Sequence, residues 1–176
     1  MSFAIYLAAA LAAQSAPAAT APPPLDLVPA FIGACMNPGP EAEKIRDAVI
    51  KAGGQSAPEQ PGKSSADPSR LSGYNFKTAV PYSVIFNNTG TCAVVSRGAD
   101  VTLTKTSLAQ FVAGATAVFN INPSKPPAAK LGETIVSSYM LSSKKGGPGI
   151  WISLSKVSRD GASATFLSRH LVAAKH

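Results

Sequence analysis

Two cysteines, two histidines and nine carboxylates are the side chains with which this chain could do covalent, metal or proton-transfer chemistry. A structural zinc site needs four closely spaced thiolate or imidazole ligands, and a catalytic one needs three. The histidines are His170 and His176, and neither Cys-x-x-Cys nor His-x-x-x-His occurs, so no metal and no cofactor is expected. A serine hydrolase needs a nucleophile on a tight turn, a base and an oxyanion hole. There is no Gly-x-Ser-x-Gly here, and His170, the one candidate base, falls on the exposed face of an expected strand. Ser142-x-x-Lys145 and Ser153-x-x-Lys156 match the Ser-x-x-Lys of penicillin-interacting enzymes, but that motif opens a helix. These matches fall on a hairpin turn and on a strand, and the chain lacks Ser-Asp-Asn and Lys-Thr-Gly.

Lys144-Lys145-Gly146-Gly147-Pro148-Gly149 has the composition of a phosphate cradle but leads into a strand. A P-loop leads into a helix whose first amides hold the anion. Three of the acids, Glu41, Glu43 and Asp47, share one amphipathic helix as a solvated face. These residues point away from an enzyme; a small hydrolase with a site not visible in sequence is the alternative.

Charge suggests a different chemistry. Residues 1–96 carry six basic and six acidic side chains, whereas residues 97–176 carry ten basic and three acidic, hence the whole net charge of +7. Lys144, Lys145, Lys156, Arg159 and Arg169 are the candidate anion-binding residues, expected to gather on one face of the final strands if that charge has a function. An anionic envelope polymer or an envelope protein is the expected partner. Nucleic acid is not, because no aromatic and basic residues interleave as stacking platforms require.

The elements that must position these residues can be read from spacing. Asp26 can cap a helix running to about Met36, with Pro29 in its first turn. Asn37-Pro38-Gly39 breaks it, and a second helix over 40–52 carries the stripe Ala42, Ile45, Ala48, Val49 and Ala52, ending at Gly53. Residues 54–70 are polar, rich in Pro and Ser, and expected to be a mobile loop. Strands are predicted around 83–87 and 92–96, then a third helix capped by Thr106 or Ser107 and carrying Leu108, Phe111 and Val112. Three strand-like runs follow at 134–141, 150–157 and 162–172. The fold class is α+β: an antiparallel sheet of about five strands, covered by two or three helices on one face. Asp160-Gly161 signals a hairpin; a two-residue turn sets Trp151 opposite His170, and a three-residue loop shifts that by one. Ile45, Val49, Phe86, Val94, Phe111, Ile152 and Leu154 are expected to be buried. No internal repeat is visible.

At the start, residues 1–15, MSFAIYLAAALAAQS, have the apolar run and small-residue cleavage region of a signal peptide, although no Lys or Arg precedes Lys44. Residues 16–24 form an Ala/Pro linker, and 25–176 a single domain. No later apolar run is long enough to cross a bilayer. In an oxidising compartment two distant cysteines usually pair, which would fasten Cys92 on a hairpin strand to Cys35 on the first helix. Two alternatives stand beside this: separately buried thiols, and lipidation at Cys35, since Ile32-Gly33-Ala34-Cys35 is like a lipobox.

Phe31-x-x-x-Cys35, the amphipathic helix after it, and Gly90-Thr91-Cys92-x-Val94 resemble a family of small, uncharacterised exported proteobacterial proteins, over roughly residues 31–115. The resemblance implies export and a Cys35–Cys92 pair, and no activity. The expectation is a periplasmic or secreted envelope protein with a non-enzymatic binding or structural role; an anion-binding module acting through the basic C-terminal half is the alternative.

Overall fold

The computed structural model describes residues 22–57, 70–123, 132–159 and 161–173. The expected signal segment, residues 16–21 of the linker and residues 58–69 of the expected mobile loop lie outside them.

Helix α1 (Val28–Phe31) runs directly into a π-helical turn, Ile32–Met36. Asp26 starts it: its Oδ1 accepts from the Val28 amide at 2.9 Å, and Pro29 takes a first-turn position where a missing N–H costs nothing. Gly39, at φ +85°, makes the break, a conformation that other residues rarely adopt. Helix α2 (Ala42–Lys51) buries Ile45 and Val49 and ends at Gly53 with φ +87°. Helix α3 (Val101–Gly114) starts nearly two turns earlier than a cap at Thr106 or Ser107 would place it. Its cap is Asp100, whose Oδ1 accepts from the Leu103 amide at 2.9 Å.

Eight strands form one antiparallel sheet, not about five: β1 (Gln55–Ser56), β2 (Ser72–Phe76), β3 (Tyr82–Phe86), β4 (Cys92–Ser96), β5 (Phe119–Pro123), β6 (Glu133–Ser143), β7 (Gly149–Arg159) and β8 (Ala162–Val172). The three additional strands are those with weak local signals. β1 has two residues and lies inside the segment expected to be a loop. β2 contains Gly73 and Asn75, which disfavour strands, and it forms because Tyr74 and Phe76 bury against the core. β5 ends in a proline, which an edge strand tolerates.

The sheet order is β1-β2-β3-β4-β8-β7-β6-β5. Each half of the chain is thus helix followed by a four-stranded meander, α1 and α2 before β1–β4 and α3 before β5–β8, and the two final strands, β4 and β8, join the meanders antiparallel at the centre. A topological repeat exists where the sequence shows none. The β7–β8 hairpin pairs Arg159 with Ala162, a two-residue turn, so Trp151 lies opposite His170.

All three helices pack on the same sheet face, α1 against β4 and β8, α2 against β3, α3 against β6. Strand alternation sends Val84, Phe86, Cys92, Val94, Ile152, Leu154 and Leu167 toward them, and all are buried. Phe111, expected in the core, is only partly buried; Thr104, Leu108 and Val112 are the buried residues of α3.

Cys35 and Cys92 form a disulfide, with Cα atoms 5.6 Å apart and a sequence separation of 57. Cys35 is therefore neither a free thiol nor a lipidation site. Opening a loop of that size releases chain entropy in the unfolded state. Replacing both cysteines by serine should lower the unfolding free energy by about 4 kcal/mol, read as a lower urea midpoint. A loss below about 1 kcal/mol would show that the helix–sheet contacts hold without the bridge.

Candidate functional site

The concavity best suited to a ligand lies at the end of the sheet where β2 turns into β3 and β4 leads toward α3. It is a groove of about 810 Å3 around the strand ends, lined by Phe76 and Tyr82 from the helix-covered face of the sheet and by Val95 and Phe166 from the helix-free face, with the 77–81 loop and Arg97-Gly98 as lips. Buried Ser96 holds the lips together: its Oγ donates to the Pro81 carbonyl at 2.7 Å and accepts from the Gly98 amide at 3.1 Å. Thr78 Oγ1 donates to the Val80 carbonyl at 2.6 Å and tightens the loop. Gly98 is required by packing, since a Cβ there would lie 2.6 Å from Val80 Cγ1.

Pro22, Pro23 and Pro24 form the remaining wall. They are brought there by a bridge between Leu25 and Ala99 and by the Asp100 amide, which donates to the Leu25 carbonyl at 3.0 Å. Three successive prolines remove three N–H donors, so this wall is apolar without leaving amides unsatisfied. Phe76 and Tyr82 stack at 4.6 Å between centroids, and burial pushes the Tyr82 hydroxyl's pKa up. The same two rings line a smaller apolar cavity of about 220 Å3 under α1 and α2. Among the described residues the charged groups of the groove are Lys77 and Arg97, both exposed, and none of its described lining residues is Asp, Glu, His or Cys.

The five basic residues picked from sequence do not converge. Lys144 and Lys145 lie in the β6–β7 turn, and Arg159 ends β7 at the opposite end of an 11-residue strand, roughly 33 Å away. The Lys144 ammonium donates to the Thr116 carbonyl at 2.7 Å, fastening that turn to the end of α3. Lys156 is exposed, beside Thr165. Arg169 departs most from expectation: it is 2% exposed and belongs to the interior. It stands between Cys92 and Ile152 in the sheet and faces the helices.

Arg169 Nη1 donates to the Cys35 carbonyl and, at 3.0 Å, to the Gly39 carbonyl. Its Nε and Nη2 are buried without a hydrogen-bond partner. Burial lowers the guanidinium's pKa, and the nearby Glu41 charge opposes that shift. Glu41 in turn is held below the usual carboxylate range by a hydrogen bond with its own backbone and by Lys44 at 3.3 Å. The guanidinium caps the carbonyl end of the first helical segment, where the helix dipole favours a cation. Its role here is structural.

His170 sits on the helix-free face, its Nδ1 3.3 Å from Thr91 Oγ1 and its ring 5.3 Å from Trp151. Beside it, Ser153 and Ser168 bond each other at 2.8 Å, and Trp151 Nε1 donates to Ser138 Oγ at 2.6 Å. Among the described residues no three His, Cys, Asp or Glu side chains converge as metal ligands, and no helix is long and apolar enough to cross a membrane. No family model, curated protein or solved structure matches this chain.

Sequence reasoning missed the groove because its parts are far apart in the chain. A faint signal existed: the same triple proline that marks a linker also marks a donor-free extended wall. Ser96→Ala should leave the Pro81 carbonyl and Gly98 amide unpaired and cost about 1–3 kcal/mol, with faster exchange of the Gly98 amide. Unchanged stability would show that the lips hold without this hydroxyl.

Proposed function

We propose that this chain is an exported bacterial envelope protein, periplasmic or secreted, that binds a ligand or partner without catalysing a reaction. The observation that carries the reading is the groove, a ligand-sized concavity with a largely apolar lining. The disulfide supports the location, because such bonds persist in oxidising compartments and are rare in reducing ones. The apolar run at residues 3–13 supplies the export signal.

Expression of the full chain in a Gram-negative host, followed by fractionation and intact-mass measurement, tests the location. The expected product lies in the periplasm or medium, lacks residues 1–15 and is lighter by the two thiol hydrogens. A full-length cytoplasmic product with two free thiols would overturn the export reading.

A further inference from the structure

We propose that the groove at the sheet end binds a single-chain anionic lipid, its hydrocarbon tail along Pro22–Pro24, Val80, Val95 and Phe166 and its carboxylate head between Lys77 and Arg97. This rests on the groove being a ligand site and adds the class of ligand.

Size limits the occupant first. About 810 Å3 falls within the roughly 300–1,000 Å3 of sites that enclose one small organic molecule, so the fit is to one molecule rather than to a bilayer patch or a folded partner. The walls select its chemistry. Pro22, Pro23, Pro24 and Pro81 give four backbone positions with no N–H, Val80, Val95 and Phe166 are branched or aromatic, and the polar side chains of Asn75 and Ser83 beside them bond each other at 2.7 Å. A peptide bound as an added strand needs a free strand edge with donors. β4 and β8, which supply Val95 and Phe166, each have both edges paired. Methylene groups need no such partners, and their transfer from water is favourable in proportion to the area buried.

Charge then sets the head group. Lys77 and Arg97 stand on the 77–81 and 97–98 lips with no carboxylate in the described lining to neutralise them, so the complementary ligand is anionic at one end. Arg97 can meet a carboxylate with two parallel N–H donors, and Lys77 adds a point charge.

Calorimetric titration of the full-length protein with sodium laurate below its micellar concentration, and with dodecanol and dodecyltrimethylammonium, tests this. Saturable one-to-one laurate binding is expected, at least roughly tenfold tighter than for the cationic analogue and weaker at high salt. Lys77→Glu/Arg97→Glu, at two exposed positions, should weaken laurate by roughly tenfold or more. Ala79→Trp, which fills the groove from an exposed loop position, should weaken all three probes, and circular dichroism checks that both variants are folded. Equal affinity for the three probes, still lost in Ala79→Trp, would overturn the anionic class and leave the groove as a binding site. Laurate binding indifferent to Ala79→Trp, or no binding of any probe, would overturn the lipid site, and neither outcome bears on export, which the mass of the exported chain decides. Binding to phosphatidylglycerol vesicles without binding of monomeric laurate would also overturn it, in favour of a membrane surface.

Discussion

The organisation of this protein depends on how the segment Val28–Gly39 is fastened to the centre of the sheet. β4 and β8 meet there, and Cys92 and Arg169 face each other across that seam. Cys92 reaches Cys35 covalently, and Arg169 donates to the carbonyls of Cys35 and Gly39. A buried guanidinium with two unsatisfied nitrogens is costly on its own, by several kcal/mol. It satisfies the Cys35 carbonyl at the end of the helical segment and the Gly39 carbonyl in the turn beyond it, and lies where the dipole and Glu41 favour positive charge. Gly39 completes the arrangement. Its left-handed backbone turns the chain toward α2, and Glu41 Oε2 lies 2.9 Å from where a Cβ would stand.

With that seam closed, the two meanders form one sheet and the groove takes shape at one of its ends. The groove is a consequence of how neighbouring strands finish. β2 and β3 are joined by a proline-containing loop, and β4 leaves through Arg97-Gly98 toward the Asp100 cap of α3. Ser96 bonds to both exits. The N-terminal segment is held against the same end through Leu25 and, one residue past Asp26, through the Leu27 amide, which donates to buried Thr104 Oγ1 at 3.3 Å. Thus a threonine inside α3 and a serine at the end of β4 set the position of side chains far from them in sequence.

Much of the fold was legible where local periodicity and burial agree. The Ile45/Val49 stripe and the alternation of Ile150, Ile152 and Leu154 each gave one answer at both levels, while Asp160-Gly161 marked the hairpin and left open the two registers between which the Arg159–Ala162 pair decides. The helix-covered α+β architecture and the Cys35–Cys92 pair followed from them and from the cysteine count. β2 and β5 were not legible, because Ser-Gly-Tyr-Asn-Phe and Phe-Asn-Ile-Asn-Pro form strands through pairing and core contacts that propensity does not encode. Arg169 was misplaced for a related reason. An arginine in an alternating strand suggests the solvent face, and nothing local reports that two carbonyls wait across the core. The groove needed four separate segments brought together, so no window of sequence contained it.

The most direct measurement of the clamp is native-state amide exchange on the disulfide-intact protein, comparing wild type with Arg169→Met. Methionine keeps apolar bulk but cannot donate to the Cys35 and Gly39 carbonyls. If Arg169 fastens the first helical segment, amides from Phe31 to Gly39, including that of Asn37, which bonds to the Ile32 carbonyl at 2.9 Å, should exchange roughly tenfold faster or more. Amides of β6 and β7 should keep their protection. Unchanged protection from Phe31 to Gly39 would contradict the account and leave the disulfide as the sole fastening of that segment.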